Sequence, residues 1–152
     1  MSSEAVNTPH SLPEAVLVAV DFSPCSLRAL RIALDWLRTD GELVVLHVVD
    51  LELAQRMEHS GGVDQQTAVA KMRARAESEL SRLAEDFGSG RFETMLVEGV
   101  PFAQVCKIAN DLDCDLIVMG KYGSAPEVKE LLFGGTAEKV LRAARQPVLC
   151  VP

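Results

Sequence analysis

Apolar residues in this chain gather into short unbroken runs, and between the runs they recur every three or four positions. Ala15-Val-Leu-Val-Ala-Val20, bounded by Pro13 and Asp21, has no polar alternation, the pattern of a strand covered on both faces. Ser23 then offers a side-chain oxygen as N-cap and Pro24 occupies the first helical position, where its missing N–H costs nothing. Ala29, Ile32, Ala33, Trp36 and Leu37 follow at helical spacing, and Asp40-Gly41 reads as a left-handed stop. Leu43-Val-Val-Leu-His-Val-Val49 is a second buried strand, rich in β-branched residues.

From Asp50 to Asp64 the periodicity fades around Ser60-Gly61-Gly62, which predicts a mobile loop. Ala68, Met72, Ala76, Leu80, Leu83 and Phe87 then fall on one stripe of a helix over 65–87, with Arg and Glu opposite. A third strand is predicted from Phe92 to Val97. Pro101 opens a helix with Phe102, Val105, Ile108 and Ala109 inward, and Asp115 to Met119 makes a fourth strand. After a glycine-bearing loop, Thr136 to Ala144 reads as a last helix and Pro147 to Val151 as a fifth strand. Strands alternating with helices imply a parallel sheet, because a parallel neighbour needs a right-handed crossover long enough to hold a helix. The predicted fold is a single doubly wound α/β domain over residues 13–152, with a five-stranded parallel sheet, helices on both faces, and a flexible tail over residues 1–12.

Composition narrows the function classes. A chain of 152 residues fits one domain, and its hydrophobic content of 48% excludes global disorder. The longest aliphatic run, Ala15 to Val20, is far shorter than the ~20 residues that span a bilayer, and Met1 to Ser11 carries no apolar targeting segment. A net charge of −7 repels a phosphate backbone over most of the surface, so nucleic acid is not an expected partner. Cys25, Cys106, Cys114 and Cys150 form no CxxC pair and suggest neither disulfides nor zinc. A reducing cytoplasm is the expected setting.

Ligands of doubly wound sheets collect beyond the carboxyl ends of the strands, where strand order reverses. Asp21, Val48 to Asp50, and Gly120-Lys-Tyr-Gly123 leave strands one, two and four there. The Asp21 carboxylate can accept from an amine or a ribose hydroxyl, or it can simply receive loop N–H groups beside Ser23. Gly120 and Gly123 flank a turn, and Gly134-Gly135-Thr136 leads into the last helix. Such glycines let backbone N–H groups face an anion at a helix N-terminus, and they equally serve as plain turn residues.

Val18-Ala-Val-Asp-Phe-Ser23, Leu46-His-Val48, Asp115-Leu-Ile-Val-Met-Gly120, Gly123 and Gly134-Gly-Thr-Ala-Glu-Lys-Val140, in that order, resemble the universal stress protein family from about Pro13 to Val151. The resemblance implies an adenine nucleotide alpha hydrolase-like fold and a small cytoplasmic homodimer paired through the last strand. For a large subset of the family it also implies ATP binding, here with or without Mg²⁺. It places Asp21 against the adenosine moiety, the backbone of Val48 against the base, and Met119, Gly120, Gly123, Gly134, Gly135 and Thr136 in the nucleotide site. The chain departs from that subset twice. Ten residues rather than nine separate Gly123 from Gly134, with the extra one near Ala125-Pro126, and Gly135 stands where a Ser or Thr hydroxyl is usual. One lost hydrogen bond to a charged acceptor costs about 1.5–3 kcal/mol, which binding can survive. The expected function is an ATP-binding homodimeric regulator in stress response, read by a protein partner. A nucleotide-free interaction module of the same fold and a slow ATPase or autophosphorylating protein are the alternatives.

Other chemistry has little support. Neither a Walker A motif nor a Gly-x-Ser-x-Gly elbow is present. Asp111-Leu-Asp-Cys-Asp115 opens like an EF-hand, but Leu116 and Tyr122 occupy the positions that need Gly and Glu, so these acids are read as solvating a turn. His47, inside an apolar strand, is read as a satisfied structural histidine. Cys25, near a helix N-terminus, is weighed as a redox-sensitive thiol against a buried inert one.

Overall fold

The computed structural model describes residues 12–88, 90–123 and 133–152. The element order is β1 (Ala15–Ala19), α1 (Pro24–Trp36), β2 (Glu42–Asp50), α2 (Leu51–His59), α3 (Gln65–Phe87), β3 (Glu93–Gly99), α4 (Pro101–Asp111), β4 (Leu116–Gly120), α5 (Gly135–Ala143) and β5 (Val148–Val151). All neighbouring strands run parallel in a five-stranded sheet of order β3-β2-β1-β4-β5. Val18 lies opposite both Val45 of β2 and Val118 of β4, which explains the unbroken apolar run of β1. The central strand has no solvent side on which to place a polar residue.

Two apolar layers sandwich the sheet. Ala29, Leu30 and Ala33 of α1, with Leu80 and Leu83 of α3, pack on Val16, Val18, Val45 and Val118. Val105, Ile108 and Ala109 of α4, with Ala137 and Val140 of α5, pack on Leu17, Leu46 and Ile117 from the other side. The sheet turns direction between β1 and β4, because the chain winds outward to β3 and then returns to place β4 on the other side of β1. Among the described residues no helix is long and apolar enough to cross a membrane.

Four expectations need correction. The segment after β2 is not an irregular loop: Leu51 to His59 form α2, with the Asp50 carboxylate accepting from the N–H groups of Glu52 and Leu53 at 3.0 and 3.1 Å. Only Ala54 of α2 is buried, so the helix leaves almost no apolar stripe to read. Helix α1 ends at Trp36, with extended backbone at Leu37, rather than on a left-handed stop at Asp40-Gly41. Trp36, expected inward, is 51% exposed. Asp115 also does more than solvate a turn, since its carboxylate accepts from the N–H groups of Glu14 and Ala15 at 2.9 and 3.3 Å and ties the start of β1 to β4. The expected tail falls almost wholly on residues 1–11, outside the described residues, as does the extra loop residue near Ala125-Pro126.

Candidate functional site

The reversal of strand order opens a rim between the ends of β1 and β4, and local chemistry at the end of β1 fixes its first wall. Phe22 takes a left-handed conformation with φ 65°, which non-glycine residues seldom adopt. Its ring lies against that of His47 with centroids 4.7 Å apart. His47 Nδ1 is 2.7 Å from the carbonyl oxygen of Val20, so Nδ1 must carry the proton, and the histidine is structural as expected. Beyond this turn Ser23 caps α1, its hydroxyl oxygen accepting from the Ser26 N–H at 3.3 Å.

Asp21 stands at the start of that turn, exposed, with Oδ1 accepting from the Ser23 N–H at 3.0 Å. Its Oδ2 faces the loop after β4 and would lie 3.3 Å from a Cβ placed on Gly123. The carboxylate therefore has one oxygen held by its own loop and one turned to the rim. Gly120 ends β4 where a Cβ would stand 2.9 Å from both Cys25 Cβ and the Ser26 backbone nitrogen. Only glycine lets β4 approach the first turn of α1 so closely.

The two glycine clusters meet although ten residues separate them in sequence. Gly134 donates its N–H to the carbonyl of Lys121 at 2.8 Å, and a Cβ on Gly134 would lie 3.4 Å from the Gly123 nitrogen. Gly134 is also the N-cap of α5 and brings no side-chain cap, so the first N–H groups of that helix have no hydroxyl or carboxylate of the N-cap residue to satisfy them. Gly135 and Thr136, the first two residues of α5, are exposed, and a Cβ on Gly135 would meet nothing within 4 Å. Among the described residues no hydrogen-bond partner meets the Gly135 and Thr136 N–H groups, and they carry the positive end of a helix dipole, which suits an anion.

Val48 and Met119 are nearly buried and belong to the apolar layer beneath α4 and α5, two strands apart with β1 between them. The structure thus brings Asp21, Gly120, Gly123, Gly134, Gly135 and Thr136 to one rim, with Val48 and Met119 in the apolar layer below. Two surface grooves involve none of these residues. One of about 440 Å³ lies along Leu51, Val69, Arg73 and Glu98, and one of about 130 Å³ lies near Ala15, Glu42, Met95 and Cys114.

Sequence reasoning passed over the cations and aromatic rings of the rim. Lys121 Nζ lies 5.3 Å from the ring centre of Tyr122 and 5.5 Å from that of Phe133, and Lys139 Nζ lies 5.4 Å from that of Phe102. Lys121 between the two glycines was a visible signal; the Lys139–Phe102 pair depends on α4 and α5 lying side by side. Cys25 is half-buried and its Sγ accepts from Arg28 Nη2 at 3.3 Å. Burial pushes the thiols of Cys106 and Cys150 up, that of Cys150 against the opposing influence of Lys121.

These features define a doubly wound α/β protein whose two glycine clusters meet at its topological switch point. The universal stress protein family model matches residues 14–152, and the chain belongs to that family. Universal stress protein MJ0531 of Methanocaldococcus jannaschii is 28% identical over 144 residues, covering 93% of this chain and 84% of its own length. MJ0577 of the same organism is 27% identical over 152 residues, covering 90% of this chain and 93% of its own. The solved structure of MJ0577 superposes with a TM-score of 0.78 at 26% identity, covering 93% of this chain and 96% of that one. A universal stress protein solved in complex with cAMP shares the fold at a TM-score of 0.58 and 21% identity, covering 93% of this chain and 98% of that one.

Proposed function

We propose that this protein binds an adenine nucleotide, ATP with Mg²⁺ carried on its phosphates, at the rim between β1 and β4. It acts there as a cytoplasmic homodimeric regulator in stress response whose nucleotide state a partner protein reads. The observation that carries this reading is the meeting of the two glycine clusters, with Gly134, the N-cap of α5, packed on Gly123 and Asp21 Oδ2 facing Gly123. A polyphosphate fits what is present: glycines that admit close approach of an anion to the main chain, and helical N–H groups without a capping side chain. Asp21 and the backbone of Val48 hold the adenosine end. The amides of Gly135 and Thr136 at the start of α5 take the phosphates, and Met119 supports the floor. The universal stress protein solved in complex with cAMP has the same fold, so the scaffold accommodates an adenine nucleotide in at least that protein.

The sheet edge supports homodimerisation. β5 is a terminal strand with half-buried Val148, Leu149 and Cys150, and an apolar edge is a liability until it is paired. Light scattering of the purified protein at micromolar concentration is expected to return twice the chain mass, and a monomer mass would remove the dimer. Gly135, which leaves the first position of α5 without a hydroxyl, favours the second reading, a nucleotide-free interaction module. Absorbance near 260 nm in the protein as purified separates the two: copurified nucleotide supports the first, and a plain protein spectrum that persists after incubation with ATP and desalting supports the second.

A further inference from the structure

We propose that Lys121 and Lys139 are the charged phosphate contacts of this rim and make it select nucleoside polyphosphates over the nucleoside; the proposal rests on the nucleotide reading above. The backbone of Lys121 is pinned on both sides, its N–H donating to the Val151 carbonyl at 2.7 Å and its carbonyl accepting from Gly134 at 2.8 Å. Its side chain therefore springs from a fixed point at the foot of α5, and its ammonium rests against the rings of Tyr122 and Phe133. Phe133 directly precedes the N-cap Gly134. On the other flank, Lys139 is exposed and lies over Phe102, the second residue of α4. It sits four residues beyond Gly135, roughly 6 Å along the axis at 1.5 Å per residue, a span its four-carbon stem can reach back across.

The electrostatic setting sharpens the assignment. In a chain of net charge −7, Lys121 and Lys139 bring two cations to the rim that Asp21 also faces, so a phosphate there has a counter-charge. Arg38, Arg73, Lys107 and Arg142 are each paired with a carboxylate; among the described residues Lys121 and Lys139, like Arg31 over Phe87, lie against rings. Glu138, in the first turn of α5, would oppose an anion, but it is paired with Arg142 at 2.8 Å. An ammonium resting on an aromatic face keeps its charge and gives way to a phosphate oxygen, because a charge-assisted hydrogen bond is the stronger contact. The lysines also stand in for the hydroxyl that Gly135 lacks.

Calorimetric titration of ATP and of adenosine into the wild-type protein, Lys121→Met, Lys139→Met and the double variant tests this, since Met keeps most of the apolar stem. The expected result is a five- to tenfold loss in ATP affinity for each single variant, a larger loss in the double variant, unchanged adenosine affinity, and recovery of the ATP preference in Lys121→Arg. Wild-type ATP affinity in the double variant overturns the lysine assignment while leaving the nucleotide reading intact. Equal losses for ATP and adenosine overturn it too, by showing a structural role. Failure of wild-type protein to bind either ligand overturns the nucleotide reading and the lysine assignment together.

Discussion

Asp21 and Gly123 face each other across the rim, with Asp21 Oδ2 placed 3.3 Å from where a side chain on Gly123 would begin. A branched side chain at 123 must displace either the carboxylate or the loop, and both hold the proposed nucleotide. Gly123→Val is therefore expected to weaken ATP binding at least tenfold. Circular dichroism and the melting temperature should stay close to wild type, because Gly123 is exposed and lies outside both apolar layers. Unchanged affinity in the variant would remove Gly123 from the site.

Gly135 offers the opposite experiment. Nothing lies within 4 Å of a Cβ at this position, so Gly135→Ser adds a hydroxyl at the first residue of α5 without a clash. The substitution also replaces a flexible glycine inside a helix. ATP affinity should rise by roughly tenfold, the return expected from one hydrogen bond to a charged acceptor, with a small gain in melting temperature. A fall in affinity would show that phosphate does not approach this turn.

Close approach of β4 to α1 gives a stability prediction. Gly120→Ala would force its methyl to within 2.9 Å of Cys25 Cβ and the Ser26 backbone nitrogen, and backbone cannot yield by side-chain rotation. The expected cost is about 1–3 kcal/mol of overpacking, read from urea unfolding. Because α1 starts from the Ser23 cap that also holds Asp21, nucleotide affinity should fall together with stability. A neutral Gly120→Ala would contradict the packing.

The strands were legible because burial on both faces removes polar residues from them, as in β1 between β2 and β4. Helix α2 was not, since Ala54 is its only buried residue and its best local signal, the Asp50 cap, lies at the end of a strand. Trp36 misled for a related reason: apolar character at helical spacing does not distinguish the last turn of a helix, where the core ends. At the site, Asp21 and the glycines could be read because their places after strands follow from topology. The Lys139–Phe102 pair could not, because it depends on α4 and α5 lying side by side.

Cys114 carries the pH prediction. It is almost fully buried, and burial together with Asp115 and Asp113 pushes its thiol up to about 11 from an ordinary 9.0. The unfolded chain ionises this thiol first, so the contribution to stability is intact below pH 9.0 and is lost as pH rises toward about 11. Iodoacetamide at pH 8, followed by peptide mass analysis, should label half-exposed Cys25 well before Cys114. Early labelling of Cys114 in folded protein would show that its layer opens.

ATP is proposed to bind the rim formed by Asp21, the two glycine clusters and the start of α5. Isothermal titration of the purified, nucleotide-stripped protein with ATP and Mg²⁺ tests it most directly. Saturable heat with one nucleotide per chain is expected, strongly reduced in Gly123→Val; a flat titration of the wild-type protein at millimolar nucleotide would mean that the rim is not a nucleotide site.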